Sequence, residues 1–154
     1  MPYGDLVLPL VFGPLVLAAL VFTLRAVVGW VGLSREAEED FRYREANAMV
    51  PMGASRERYV AAYRRVNAPR LSLHAAGALW AVLLLTPVIA VVLEFLLELL
   101  WQATGQSRVF EPGYLVWQFF IFFGLVGTWA AIGWIAARLY HGRAPGRLED
   151  ELAA

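Results

Sequence analysis

Leu6–Leu24, LVLPLVFGPLVLAALVFTL, is a stretch of nineteen residues without a charge. The apolar pattern resumes after Arg25 as AVVGWVGL. About 20 apolar residues cross a hydrocarbon core as a helix, so residues 6–31 are predicted as a first membrane span. Pro9 and Pro14 would break a helix interior in water, but membrane helices tolerate proline. A second apolar run goes from Leu73 to Trp101 and is uncharged from Ala75 to Leu93, which predicts a span at 74–101. A third, at 114–140, is uncharged until Arg138. The fold class is therefore an all-α membrane protein with three transmembrane helices. One or two amphipathic helices are expected at the inner surface between spans one and two. Residues 1–154 form a single membrane domain, with a segment at 34–72, a loop at 102–113 and a tail at 141–154.

The composition agrees. The 154 residues are 60% hydrophobic and 17% charged, against roughly 45–50% and 25% for a soluble domain. Cysteine is absent. That excludes disulfides, thiolate metal sites and a cysteine nucleophile. All thirteen basic residues are arginine, which excludes a P-loop lysine or a Schiff base. The first span has Asp5 where a signal peptide would carry positive charge, so it is expected as an uncleaved anchor.

Arginine placement predicts orientation. The 34–72 segment holds Arg35, Arg42, Arg44, Arg56, Arg58, Arg64, Arg65 and Arg70. The tail adds Arg143 and Arg147, whereas the 102–113 loop holds only Arg108. By the positive-inside rule the N-terminus and the 102–113 loop are outside (periplasmic) and the arginine-rich segment and C-terminus inside (cytoplasmic). Absence of lysine with abundant Ala, Arg, Gly and Leu suggests a high-GC bacterial source, hence a bacterial cytoplasmic (inner) membrane. No dense basic patch with interleaved aromatics is present, so nucleic acid is not an expected partner.

Within the inner segment, Ser34 followed by acids reads as a helix start running to Asn47. Pro51 and Gly53 read as breakers. Ser55 is placed to cap a second helix, RERYVAAYRRVN, ending before Ala68-Pro69. Tyr59, Ala62, Tyr63 and Val66 share one face, and the expected role is a helix packed under the bundle; the alternatives are a helix lying flat on the inner leaflet with its arginines reaching lipid phosphates, and a docking site for a cytoplasmic partner. The tail sequence His141-Gly-Arg-Ala-Pro-Gly-Arg reads as helix termination at Gly142.

Three sets of residues are candidates for function. Glu94 and Glu98, four apart on span two, would handle protons or a cation if they lie within the hydrocarbon core. With the core at 74–93, about 30 Å long, they sit at the outer interface instead, with Arg108 or a partner's arginine as counter-charge. His74 and His141 are both expected near the inner surface, with Arg25 at a similar level. They are the residues that would hold a quinone head group or a b-type haem. In span three, Gly124/Thr128, Gly127/Ala131 and Gly133/Ala137 are small-xxx-small pairs of the kind that mark helix-packing faces. The aromatic run Phe119, Phe120, Phe122 and Phe123 is expected to face lipid.

No catalytic motif accompanies these residues, and no metal site or resident cofactor is expected. In size, span count and inner arginines the chain resembles the three-helix anchors of the succinate dehydrogenase and fumarate reductase type. The likeness is architectural, because the haem and quinone residues of those anchors have no recognisable counterpart here, and no family is assigned. The expected function is a non-catalytic accessory or assembly subunit of a larger membrane complex, respiratory or photosynthetic. Its partners would be other integral membrane subunits and lipid. The alternatives are a quinone- or haem-binding anchor subunit using His74, His141 and Arg25, and a small proton- or cation-conducting oligomer using Glu94 and Glu98.

Overall fold

A computed structural model describes residues 4–50, 54–142 and 144–153. The predicted breakers Pro51 and Gly53, and Arg143, lie outside the described residues. The elements in chain order are α1 (Gly4–Ala46), α2 (Arg56–Asn67), α3 (Arg70–Ala103), a 3-10 turn (Arg108–Phe110), α4 (Leu115–Gly142) and α5 (Leu148–Ala153). α1, α3 and α4 are each long and apolar enough to cross a membrane. The chain is an all-α, multi-pass membrane protein.

α1 is one uninterrupted helix of 43 residues, about 65 Å at 1.5 Å per residue. That is about twice the thickness of a hydrocarbon core, so its last third extends beyond any span. Ser34 was expected to start a new helix; it lies inside α1 instead. The reason is local. SREAEEDFRYREA contains no glycine or proline, and its charges pair along the helix. Arg35 bonds Glu39 at 2.8 Å, Arg44 bonds Asp40 at 3.1 Å, and Arg42 approaches Glu38 at 3.8 Å. Such i,i+4 pairs add helix stability that a capping serine cannot override. Termination comes at Ala48, which takes a positive φ of 54°. The Met49 N–H returns to the Arg44 carbonyl (2.8 Å) and that of Ala48 to Glu45 (3.2 Å), the two bonds of a Schellman cap. α3 ends the same way with a residue better suited to it. Gly105 has φ 67°, and the N–H groups of Gln106 and Gly105 return to the carbonyls of Trp101 and Gln102.

α3 is the middle helix. It packs on α1 along one side and on α4 along the other, and α1 and α4 do not touch among the described residues. The α1 seam repeats every seven residues as Ala19, Ala26 and Leu33, all buried, the spacing of a left-handed helix pair. Small residues let the backbones approach, and Gly29 sits directly against the Pro69 ring. Two polar links cross the apolar zone. Trp80 Nε1 donates to Thr23 Oγ1 (3.0 Å) and Trp129 Nε1 to Thr86 Oγ1 (2.9 Å). Each threonine passes its own proton to a carbonyl one turn back, Thr23 to Ala19 and Thr86 to Val82, so none of these four side chains leaves a donor unpaired.

Thr86→Val should therefore lower stability by about 0.6–1.7 kcal/mol, the range of interhelical hydrogen bonds in membranes. Denaturant titration in mixed micelles measures it, and an unchanged midpoint would show that the Trp129 link contributes nothing.

With α3 in the middle, the molecule is open. It exposes 11035 Å², about 40% more than a compact soluble protein of its 17.1 kDa mass would. Much of the excess is apolar side chain on α1, α3 and α4, including the four phenylalanines Phe119, Phe120, Phe122 and Phe123.

α2 begins where expected. Ser55 Oγ accepts from the Arg58 N–H at 3.3 Å, and the helix ends at Asn67. Tyr59 and Ala62 are buried, as their shared face predicts. Their cover is not the underside of the bundle. α2 packs against α1 and α5.

Candidate functional site

The arginine-rich end of the molecule is built in two parts. The first is a small core outside the apolar zone. Phe41 from the extension of α1, Tyr59 and Ala62 from α2, and Leu152 from α5 form it. Tyr59 is 0% exposed, and its ring meets Phe41 at a centroid distance of 5.3 Å. Its hydroxyl donates to Asp40 Oδ2, which also accepts from Arg44 Nε. Burial, then the Asp40 hydrogen bond, pushes the Tyr59 phenol up to about 12. Burial likewise raises Tyr63. Two ion pairs tie the outside of this core: Arg56 with Glu38 at 2.9 Å and Arg65 with Glu151 at 3.3 Å. The tail was expected only to terminate α4; α5 makes it part of this core. LEDELA carries the signal, two leucines four apart on an otherwise acidic stretch.

The second part lies where α2, the end of span one and the start of α3 meet. A hollow of about 690 Å³ is lined by Trp30, Arg64, Arg65, Arg70, Leu73 and His74, with two alanines. Arg64 lies over the Trp30 ring at 5.5 Å. Arg70 donates to the Tyr140 carbonyl of α4 at 2.5 Å and lies 5.3 Å from that residue's ring centroid. Neither Trp30 nor Arg70 was singled out as a site residue in sequence, and nothing there joined Arg64 to them. Thirty-four residues separate Trp30 from Arg64, and no local pattern joins them.

The histidines come together at Tyr140. His74 and His141 both meet its ring edge-on, at 5.8 and 5.1 Å. His74 Nδ1–H donates to the Arg70 carbonyl at 2.7 Å. Arg25 is exposed on α1. Because α1 and α4 sit on opposite sides of α3, the structure does not gather Arg25 with His141. Among the described residues no three His, Asp or Glu side chains converge as a metal site.

Glu94 and Glu98 line one shallow hollow at the other end, with Pro112 and Trp117. Glu98 accepts from Gln102 Nε2 at 2.9 Å. Neither pairs with Arg108 or with any other arginine among the described residues, so Arg108 does not supply the counter-charge. Glu94 stands twenty residues from His74 along α3, about 30 Å.

The small residues of α4 divide into covered and uncovered positions. Gly124 packs on α3: a Cβ there would lie 2.6 Å from Leu93 Cδ1. Thr128 donates to the Gly124 carbonyl at 2.8 Å and is half-buried on the same side. Gly127 and Gly133 have nothing within 4 Å of a built Cβ, and Ala131 and Ala137 are exposed. One of the three pairs is thus used inside the chain, and two face outward. Compared with known proteins, the chain matches no family model, no curated protein and no solved structure.

Proposed function

We propose that the chain is a non-catalytic accessory or assembly subunit of a larger complex in a bacterial cytoplasmic membrane, with its arginine-rich end in the cytoplasm. The observation that carries this reading is that α4 leaves small residues uncovered on two flanks: nothing lies within 4 Å of a Cβ built at Gly127 or Gly133, and Ala131 and Ala137 are exposed. Apolar burial does not drive association in lipid, so a close-approach surface of small residues is useful only to another helix. The open row of three helices supports the same reading, since its exposed surface is that of a part rather than a closed bundle. A respiratory or photosynthetic host is proposed on the architectural likeness to three-helix anchors alone.

Mild-detergent purification from native membranes, with co-purifying chains counted by mass spectrometry, tests this. Larger subunits are expected in fixed ratio. A chain that emerges alone with an activity of its own overturns the reading. Gly127→Leu sharpens the test. The added side chain enters open space, so the isolated chain should keep its thermal stability. Partner recovery should fall about tenfold or more, because over-packing a helix interface costs about 1–3 kcal/mol. Unchanged recovery would remove α4 from the interface.

A further inference from the structure

The arginine-lined hollow between α2 and α3 does not end at His74. A second groove of about 400 Å³ begins there and runs between α3 and α4. The two share Leu73 and His74, so they adjoin at these two side chains, the one basic and the other apolar. The groove is lined along α3 by Leu73, Gly77, Ala81 and Leu85, and across from it by Ile132 and Ala136 of α4. Leu73 to Leu85 is about 18 Å of helix, close to the depth of one leaflet of a ~30 Å hydrocarbon core. The hollow at the head of the groove has no acidic residue in its lining. Arg65 is partly neutralised by Glu151. Arg64 and Arg70 have no carboxylate within ion-pair distance among the described residues; Arg64 lies over the Trp30 ring and also borders a hollow lined by Glu38 and Glu57, and Arg70 lies over the Tyr140 ring and donates to that residue's carbonyl.

Two cations without counter-ions, an indole at the same level and an apolar trough one leaflet deep match one class of ligand. We propose that this surface binds a single anionic phospholipid, its phosphate held by Arg64 and Arg70 beside Trp30 and one acyl chain lying along the α3–α4 groove. Guanidinium forks suit phosphate oxygens, and the tryptophan and arginines sit where interfacial residues meet headgroups. The site is independent of the proposed accessory role.

The test uses the full chain, delipidated in a non-ionic detergent and titrated under native mass spectrometry. Four probes separate head from tail: dioleoyl phosphatidylglycerol, dioleoyl phosphatidylcholine, dihexanoyl phosphatidylglycerol and inorganic phosphate. One dioleoyl phosphatidylglycerol should be retained, preferred about tenfold or more over the choline lipid, given two arginines near an anionic head. Arg64→Gln should cut that preference several-fold. It is a cleaner variant than one at Arg70, which also ties α3 to α4. Gly77→Leu fills the groove from a position with nothing within 4 Å of its Cβ, so the fold is kept. It should weaken the dioleoyl lipid while leaving the dihexanoyl lipid unchanged. Equal binding of glycerol and choline lipids overturns the head site. An unaffected Gly77→Leu overturns the tail groove. Inorganic phosphate competing as well as the long-chain lipid identifies a free-phosphate site and overturns the lipid.

Discussion

Tyr59→Ala should release α2 and α5 from the extension of α1 while the three long helices stay packed. Truncating a fully buried aromatic costs about 3–5 kcal/mol, and Tyr59 is the one large side chain with no exposure among the described residues. The core it anchors is only four residues with a few half-buried neighbours, too small to close over the gap. Hydrogen exchange in α2 should then speed up by two orders of magnitude or more, about the factor that 3 kcal/mol gives, with α3 unchanged. Tyr59→Phe separates ring from hydroxyl. It keeps the Phe41 contact and loses only the bond to Asp40, about 1.5–3 kcal/mol for a charged partner. Asp40 keeps Arg44 in that variant. The same group makes docking pH-dependent. Tyr59 titrates at about 12 in the folded chain and at about 10 unfolded. A raised phenol favours the protonated, folded form, so its contribution is intact below pH 10 and is lost as pH rises towards 12. α2 protection that stays flat across that window in wild type, or that falls equally in Tyr59→Phe, would show that this hydroxyl does not control docking.

The three crossings were legible because a membrane span is written in consecutive residues. The α2 cap was legible for the same reason: Ser55 and Arg58 are three apart. Ser34 misled because the same residue that can cap a helix can also sit within one. The run of i,i+4 ion pairs from Arg35 to Arg44 decided between the two, and its weight shows only when the pairs form. The small residues of α4 were legible as packing residues, but not which of them the chain itself covers. That division depends on which helix is in the middle, and span order carries no such information. The Tyr59–Asp40 bond spans nineteen residues and the Arg70–Tyr140 bond seventy. Nothing local in either segment names its partner. Hence the arginines could be counted from sequence and used for orientation, while the hollow they line could not be foreseen.

Gly29→Leu should damage the α1–α3 pair more than any substitution at the glycines of α4. A Cβ at Gly29 would lie 2.9 Å from Pro69 Cβ and 3.1 Å from Cγ. Both atoms belong to a ring whose φ is fixed and whose residue is the N-cap of α3, so the contact cannot be relieved by a rotamer. Either α1 or the start of α3 must move. The cost belongs at the upper end of the roughly 1–3 kcal/mol seen for over-packing. Gly124 looks worse by distance, with a built Cβ only 2.6 Å from Leu93 Cδ1, yet that atom ends a flexible side chain. Leu93 can turn away at about 0.5–1.5 kcal/mol. Paired alanine variants make the comparison cleanly. Each gains about 1 kcal/mol of helix propensity over glycine, so the difference between them reports packing alone. Gly124→Ala should come out near neutral and Gly29→Ala destabilised, as read by unfolding in mixed micelles. Equal values would mean that the Pro69 contact yields as easily as a leucine methyl. The close approach of α1 to α3 would then be a consequence of the seam at Ala19 and Ala26 rather than something Gly29 makes possible.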